Sequence, residues 1–320
     1  MQIVNSLFKM QSKNQKVIAV DIGGTSVKFA IVTQAGEVEI MGTEKTANFK
    51  NAEDIGPYLK NKLQELKISI SEFAGIGIGA PNGNKLNGSV EFAPNLPWKG
   101  LIPLASYFSN YFNLKTILDN DANAAALGEK HYGKAGDKND FIFITLGTGL
   151  GSGIVINGNM VYGHDGLAGE IGHLILIPEG RMCGCGRKGC VETYCSATGL
   201  VKTYVEKKKL TQNLNIDSEY VFQKAVEGEK EAIESFNFTG NLLGLTLANC
   251  VAFSSPKTIF LFGGLTRSGD FLMKPTLKSF NENVLKVYQN KTEILLSTLP
   301  KNNAAFLGAA SLIWNDTINS

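Results

Sequence analysis

The sequence has 320 residues, of which 43% are hydrophobic and 19% are charged, enough apolar material for a sizeable core divided between two domains. Its 31 basic and 29 acidic residues are spread along the chain and leave a net charge of +2, so no concentrated positive surface for nucleic acid or a membrane is expected. No apolar stretch approaches the ~20 residues that cross a bilayer, and the N-terminal residues lack the apolar centre of a signal peptide, which predicts a cytoplasmic protein.

The first predicted element is a β-hairpin at Val17–Val32, in which two β-branched runs flank the Gly23-Gly24 turn. A hairpin of the same design recurs at Phe141–Ile156, roughly 124 residues later, so one structural unit is present twice. We therefore expect two related halves.

Strands and helices alternate through the rest of the chain, and this pattern indicates an α/β fold. The further predicted elements are strands at Phe73–Ala80 and Thr258–Phe262, a helix that begins near Ala122, a polar helical region at Ser196–Glu234, an apolar helix at Phe236–Phe253 and a last helix at Ala304–Trp314. We predict an N-terminal domain of residues 1–119 plus the C-terminal helix at about 303–320, and a C-terminal domain of residues 120–302.

The turn of the first hairpin carries the parts of a phosphate-binding cradle. Asp21 ends an apolar strand, and Gly23 and Gly24 let backbone N–H groups approach a ligand closely. Thr25 and Lys28 add a hydroxyl group and a cation. An ordinary Gly-Gly hairpin is the alternative interpretation of this motif when it stands alone.

The turn of the second hairpin repeats the design, which favours one nucleotide held by both halves. Its candidate nucleotide-binding residues are Thr145, Gly147, Thr148 and Gly149. A third glycine pair, Gly263 and Gly264, follows a predicted strand and suits the close approach of a flat ring such as adenine. A simple strand-terminating turn explains that pair equally well.

Asp121 is the candidate general base, because its carboxylate stands at a predicted helix start beside small residues that leave room for a substrate. Phosphoryl transfer needs little beyond positioning, charge stabilisation and one acceptor for the hydroxyl proton. Aspartate is also a common helix N-cap, and the local sequence does not choose between the two roles.

A metal site is predicted by the spacing His173-x9-Cys183-x-Cys185-x4-Cys190, which lies in a glycine-rich segment. Three thiolates and one imidazole suit a tetrahedral structural Zn²⁺ site, whereas a redox pair or unrelated thiols are the alternative. The flanking Glu170 and Glu192 are candidate sugar ligands, since carboxylates accept hydrogen bonds from sugar hydroxyls, although both could equally be surface glutamates.

Together these motifs resemble the ROK family (repressors, open reading frames and sugar kinases), and the resemblance spans nearly the whole chain. It rests on DIGGTSVKFA from Asp21, NDANAAALGE from Asn120, TLGTGLGSGIV from Thr145, AGEIGH from Ala168 and CGCGRKGCVE from Cys183. The last two motifs together are highly specific.

The resemblance implies an actin-like, ribonuclease H-like fold of two domains with an interdomain cleft, and an ATP-dependent hexose kinase of the glucokinase type. It implies that Asp121 is the catalytic base and that ATP with Mg²⁺ lies between the two glycine-rich turns. It further implies sugar contacts from Asn95, Asn120, Asp121, Glu170, His173 and Glu192, with His173 also binding zinc. Relatives are commonly dimers or tetramers, so a homo-oligomer is expected.

Sugar identity stays open at this stage, because Asn82 stands where relatives commonly carry glycine and a single sequence does not locate the hydrogen-bond partners of one hydroxyl. Glucose is the leading substrate, and N-acetylmannosamine, N-acetylglucosamine, mannose and fructose are the alternatives, with polyphosphate as an alternative donor. A non-catalytic sugar sensor is a weaker hypothesis. The short segment before the first strand predicts that no DNA-binding module and no nucleic-acid partner are present.

Overall fold

The computed structural model describes residues 15–210 and 216–319, and their contacts divide the chain into two units. Within the described residues the first unit comprises 15–137, 162–168 and 298–319, and the second comprises 138–161, 169–210 and 216–297. None of the helices in the described residues combines the length and the hydrophobicity needed to cross a bilayer.

The first unit is built on a mixed five-stranded sheet of β1 Lys16–Ile22, β2 Ser26–Thr33, β3 Val38–Lys45, β4 Phe73–Ala80 and β8 Thr116–Asn120, and a smaller sheet contains β5 Gly83–Asn84, β6 Ser89–Glu91 and β7 Leu101–Ile102. The order of strands in the larger sheet is β3-β2-β1-β4-β8. Strands β1, β2 and β3 are antiparallel neighbours, whereas β4 runs parallel to both β1 and β8. Because parallel strands are covered on their faces, β4 is buried at nearly every position.

Helices complete the first unit. They are α1 Ile55–Glu65, α2 Leu104–Phe112, α3 Asp121–Tyr132 and a C-terminal helix, Ala304–Asn319, with short 3₁₀ helices at Thr46–Asn48, Ala52–Asp54 and Ile70–Glu72. Fully buried side chains from the sheet and from α1 and α2, among them Phe29, Ile55 and Phe108, form the core.

Helix α3 packs closely against the C-terminal helix through glycine. A Cβ atom on Gly128 would lie 3.1 Å from the Cα of Gly308, and a Cβ on Gly308 would lie 2.8 Å from the carbonyl of Ala124. This packing places α3 in the first unit, so the division falls after residue 137, whereas the sequence predicted a boundary after residue 119.

The second unit repeats the topology of the first. Its strands are β9 Phe141–Leu146, β10 Leu150–Ile156, β11 Asn159–Met160, β12 Thr258–Phe262 and β13 Glu293–Leu296, and their order in the sheet is β11-β10-β9-β12-β13. Again the first three strands in the chain are antiparallel neighbours, and β12 is parallel to both β9 and β13. The identical order and directions confirm the duplication predicted from the two hairpins.

The helices of the second unit are α4 Glu192–Cys195, α5 Ala197–Lys208, α6 Ser218–Val226, α7 Lys230–Ser254 and α8 Asp270–Asn283, with 3₁₀ helices at Ile171–His173, Gly264–Ser268 and Lys286–Tyr288. Helices α7 and α8 lie very close together, since a Cβ atom on Gly240 would lie 2.6 Å from the ring of Pro275. The fully buried Tyr204, Phe236 and Ile259 belong to the core that these helices form on the sheet.

Candidate active site

Asp21 lies one residue before the end of β1, beside Lys28 of the neighbouring strand. The Nζ atom of Lys28 is 3.6 Å from Oδ2 of Asp21. Burial raises the pKa of the Asp21 carboxyl, Lys28 opposes this rise, and the negative charge of Asp121 adds to it. The first unit therefore brings these two acids near enough for their charges to interact.

Glycine is required at position 24 because the backbone of Asn95 lies very close to it. A Cβ atom at this position would lie 2.7 Å from the carbonyl oxygen of Asn95, well inside van der Waals contact. The N–H of Gly23 donates to the carbonyl of Ser26 at 2.9 Å and closes the hairpin turn. A candidate nucleotide-binding glycine and a candidate sugar-binding asparagine are thus neighbours in the first unit.

Asp121 is the first residue of α3, and its neighbour Asn120 is the N-cap. The N–H of Ala122 is 2.8 Å from Oδ1 of Asn120 and also 2.8 Å from Oδ1 of Asp121. Asn120 thus fills the capping role that the sequence left open for Asp121. Asp121 exposes surface to solvent, while desolvation by the surrounding protein raises the pKa of its carboxyl and hydrogen bonding to the Ala122 N–H opposes the rise.

Two buried polar residues, one beside the start of α3 and one beside the Gly23 turn, were missed by sequence reasoning. Asp119 is 0% exposed, and desolvation raises the pKa of its carboxyl to about 6, although hydrogen bonds from Asn123 and Tyr162 oppose the rise. Thr46 is also fully buried, and its hydroxyl donates to the carbonyl of Gly23 at 2.6 Å. Four polar residues among the five positions from Asp119 to Asn123 were the sequence signal for the first, and Thr46 had none.

In the second unit the turn between β9 and β10 holds the other glycine-rich motif. The N–H of Gly147 donates to the carbonyl of Gly149 at 3.1 Å, and the N–H of Gly151 donates to the hydroxyl of Thr145 at 3.1 Å. Apart from Gly147 and its two neighbours in the chain, none of the described residues has an atom within 4 Å of the position that a Cβ on Gly147 would take, so the backbone is open to a ligand there. Thr148, on the same turn, is exposed.

The glycine pair after β12 has two different structural roles. A Cβ atom on Gly263 would lie 2.4 Å from the carbonyl oxygen of Leu146, and the positive φ of 115° also requires glycine at this position. Close packing against β9 therefore accounts for Gly263. Gly264 has open space where its side chain would be, so it is the member of the pair that offers room for a ligand.

The four predicted metal ligands meet in the second unit. One ligand atom from each of His173, Cys183, Cys185 and Cys190 lies within 4.8 Å of the others. Nδ1 of His173 is 3.6 Å from Sγ of Cys183, and Sγ of Cys185 is 3.6 Å from Sγ of Cys190. Tetrahedral zinc with Zn–S bonds of about 2.3 Å and Zn–N bonds of about 2.1 Å separates its ligands by about 3.5–3.8 Å, so the donor set and its spacing fit zinc.

Both candidate sugar glutamates surround the same histidine. Oε1 of Glu192 is 3.7 Å from Nδ1 of His173, and Oε2 of Glu170 is 3.9 Å from Nε2 of His173. Glu192 also reaches the second glycine-rich turn, because its Oε2 atom lies 3.5 Å from the N–H nitrogen of Leu150 and would be 2.7 Å from a Cβ on Gly149. The metal-ligand cluster, Glu192 and the β9–β10 turn thus form one connected site.

The candidate residues divide between the two units. The first unit contains Asp21, Gly23, Gly24, Thr25, Lys28, Asn95, Asn120 and Asp121. The second unit contains Thr145, Gly147, Thr148, Gly149, Glu170, His173, Cys183, Cys185, Cys190, Glu192, Gly263 and Gly264. Each unit therefore contributes one glycine-rich turn and one group of polar side chains.

The model of the ROK family matches residues 17–316. This chain belongs to the ROK family. Among its relatives, the glucokinase of Halalkalibacterium halodurans is 35% identical over 92% of this chain and 94% of that protein. The ROK family also includes repressors, and the xylose repressor of Caldicellulosiruptor bescii is 30% identical over 95% of this chain and 79% of its own length.

A solved ROK structure has the same fold. The ROK family glucokinase of Streptomyces griseus, crystallised with glucose and AMPPNP, is 30% identical and superposes with a TM-score of 0.77 over 93% of this chain and 98% of that chain. The actin-like two-domain fold expected from the sequence is confirmed by this match.

Proposed function

We propose that this ROK protein is an ATP-dependent kinase that phosphorylates the 6-hydroxyl of a hexose, with glucose as its preferred substrate. The observation that carries the proposal is Asp121, an exposed acid with a raised pKa that follows the Asn120 N-cap in a protein 35% identical to a glucokinase. A carboxylate whose pKa is raised is a stronger base, and therefore a better proton acceptor, than that of an ordinary aspartate.

In the proposed reaction the carboxylate of Asp121 accepts the proton of the sugar 6-hydroxyl while the hydroxyl oxygen bonds to the γ-phosphorus of ATP. The bond between the γ-phosphorus and the oxygen that bridges it to the β-phosphate breaks, and ADP leaves. The open backbone at Gly147 and the turn at Gly23 and Gly24 are proposed to hold the phosphates, and the Lys28 ammonium adds positive charge near Asp21. Asp21 would help to hold Mg²⁺ that binds with the nucleotide, and this ion would neutralise negative charge on the phosphate oxygens.

Sugar recognition is assigned by the resemblance to residues of both units. Asn95 and Asn120 of the first unit and Glu170, His173 and Glu192 of the second are the proposed contacts. We propose that His173 would bind zinc through Nδ1, in agreement with the 3.6 Å separation of Nδ1 from Sγ of Cys183, and that the ring so held would present Nε2 to the sugar.

A non-catalytic sugar-responsive protein is the second candidate, and the 30% identity to a xylose repressor is the observation that favours it. Turnover separates the two candidates. Cytoplasmic location and assembly as a homo-oligomer remain predictions.

The proposal is tested by measuring kcat/KM with ATP across glucose, mannose, fructose, N-acetylglucosamine and N-acetylmannosamine. We expect the largest value for glucose. A larger kcat/KM for an N-acetylated sugar would support the kinase mechanism but replace glucose as the assigned substrate. Binding of sugars without any phosphorylation would support the second candidate.

The nucleotide site is tested by Gly147→Ala. Because the added methyl group would have no atom of the described residues within 4 Å beyond Gly147 and its chain neighbours, the free energy of unfolding should stay unchanged. We expect the KM for ATP to rise about tenfold, the equivalent of about 1.4 kcal/mol, because the methyl group occupies space that the phosphates need. Equal KM values for ATP in the variant and the wild type would remove Gly147 from the nucleotide site.

A further inference from the structure

Asp119 is a fully buried carboxylate that directly precedes Asn120 and Asp121. Its Oδ1 atom accepts hydrogen bonds from the N–H of Asn120 at 2.7 Å and from Nδ2 of Asn123 at 3.0 Å. These two donors lie on either side of Asp121 in the chain. The buried carboxylate therefore holds the backbone before the proposed base and the first helical turn after it.

The other oxygen of Asp119 is held by a residue distant in the sequence. The hydroxyl of Tyr162 donates to Oδ2 of Asp119 at 2.7 Å. Burying a carboxylate costs free energy unless its oxygens are hydrogen bonded, and here each oxygen has at least one donor. Of the three hydrogen bonds that hold the carboxylate, the one from Tyr162 thus comes from outside the turn.

Tyr162 begins the segment Tyr162–Ala168, here called the strap, which belongs to the first unit. The Nζ atom of Lys85 is 5.2 Å from the centroid of the Tyr162 ring. Further along the strap, Nδ2 of Asn84 donates to the carbonyl of Asp165 at 2.6 Å. Because the strap is attached at a second point, the hydroxyl of Tyr162 meets Asp119 from a fixed position.

We propose that Asp119 and Tyr162 are positioning residues that orient Asn120 and Asp121 for phosphoryl transfer. This inference rests on the proposed kinase activity. Neither residue reaches the reacting atoms itself; the tyrosine hydroxyl fixes the Asp119 carboxylate, and the carboxylate fixes the turn. Small displacements of a proton acceptor lower the rate of the chemical step, because the acceptor must lie within hydrogen-bond reach of the attacking hydroxyl.

The test is Tyr162→Phe, which removes one hydroxyl and keeps the ring beside Lys85. We expect kcat to fall at least tenfold, while the KM for ATP stays within about twofold, because the phosphate-binding turns are untouched. The matched control is Tyr204→Phe in the second unit, where the hydroxyl donates to Oε1 of Glu229 at the same distance of 2.7 Å. The control loses an equivalent bond and should keep its kcat.

A kcat loss in Tyr162→Phe no larger than that in Tyr204→Phe would overturn the proposal. Asp119→Asn provides a second variant that keeps the side-chain shape and replaces one acceptor oxygen by an NH₂ group. It should lose kcat with an equally small change in the KM for ATP. Near-normal kcat in this variant would also overturn the inference.

Hydrogen exchange in the free protein gives a readout that does not depend on turnover. The amides of Asn120–Asn123 should exchange faster in Tyr162→Phe than in the wild type or Tyr204→Phe. If the wild type phosphorylates no sugar, the proposed function fails while the exchange data still decide whether the pair orders the turn. If the wild type is an active kinase but Tyr162→Phe leaves the exchange of these amides unchanged, the positioning role of Asp119 and Tyr162 is rejected while the proposed function stands.

Discussion

Asp121→Asn is expected to lower kcat about 10³-fold, the loss that follows removal of a general base, while the Kd for the sugar changes by less than about threefold. The amide oxygen of asparagine can still accept the hydrogen bond that Oδ1 of Asp121 receives from the N–H of Ala122 at 2.8 Å, so the start of α3 should keep its geometry. Steady-state kinetics and calorimetric titration of the sugar measure the two quantities.

Asp217→Asn is the matched control. Asp217 caps α6, its Oδ1 atom accepts from the N–H of Tyr220 at 2.8 Å, and it lies in the second unit. The control should keep its kcat. A kcat for Asp121→Asn close to that of the control would remove Asp121 from the chemical step.

The same carboxyl predicts the acidic limb of the pH profile. Only the ionised form accepts a proton, and desolvation raises the pKa of Asp121 above its ordinary value of 3.8. We therefore expect kcat/KM to fall with decreasing pH at a midpoint above 3.8, and this limb should be absent from the residual activity of Asp121→Asn. A profile that stays flat down to pH 4 would contradict the assignment.

Cys185→Ser is expected to reduce bound zinc from about one ion per chain to a small fraction of that, because a hydroxyl group is a far poorer zinc ligand than a thiolate. Metal content by mass spectrometry of the purified protein measures this result.

Loss of zinc should also raise the KM for the sugar about tenfold, because it frees the imidazole of His173, which lies between Glu170 and Glu192. Cys250→Ala is the matched control, since Cys250 is a free thiol in α7 outside the ligand cluster. The control should keep its zinc. Full zinc content in Cys185→Ser would reject the tetrahedral site.

The buried parallel strands of the two sheets were predictable because burial on both faces selects continuous apolar runs. The predicted strands Phe73–Ala80 and Thr258–Phe262 coincide with β4 and β12. The apolar helix predicted to begin at Phe236 begins at Lys230 instead. Its first residues mix the charged Lys230, Glu231 and Glu234 with the core residue Ala232, so the hydrophobic pattern there is too weak to mark the start of the helix.

Other elements gave weaker signals. Helix α8 contains Pro275, which the sequence pattern treats as a helix breaker, and the structure accommodates its ring against Gly240 of α7. The predicted polar helical region at Ser196–Glu234 contains separate helices, α5 and α6, and runs into the first turn of α7. These outcomes depend on packing between distant segments, which local propensity does not contain.

The candidate site shows the same distinction. The metal ligands were predictable because all four lie within 18 consecutive residues, and the structure brings them together. Asp119 could not be recognised as a positioning residue from the sequence. Its burial depends on tertiary packing, and its hydrogen bond to Tyr162 joins residues that are 43 positions apart. Metal-binding and phosphate-binding motifs can be recognised from residue spacing over a short stretch of sequence. The residues that position the functional groups are identified only from tertiary contacts.

The central claim, transfer of a phosphoryl group from ATP to the 6-hydroxyl of a hexose, is tested most directly by ³¹P NMR of the wild-type protein with ATP, Mg²⁺ and glucose. We predict that glucose 6-phosphate and ADP accumulate in equal amounts, and that 6-deoxyglucose, which lacks the acceptor hydroxyl, yields no sugar phosphate. Absence of any phosphomonoester from glucose and from every other hexose in the panel would contradict the account.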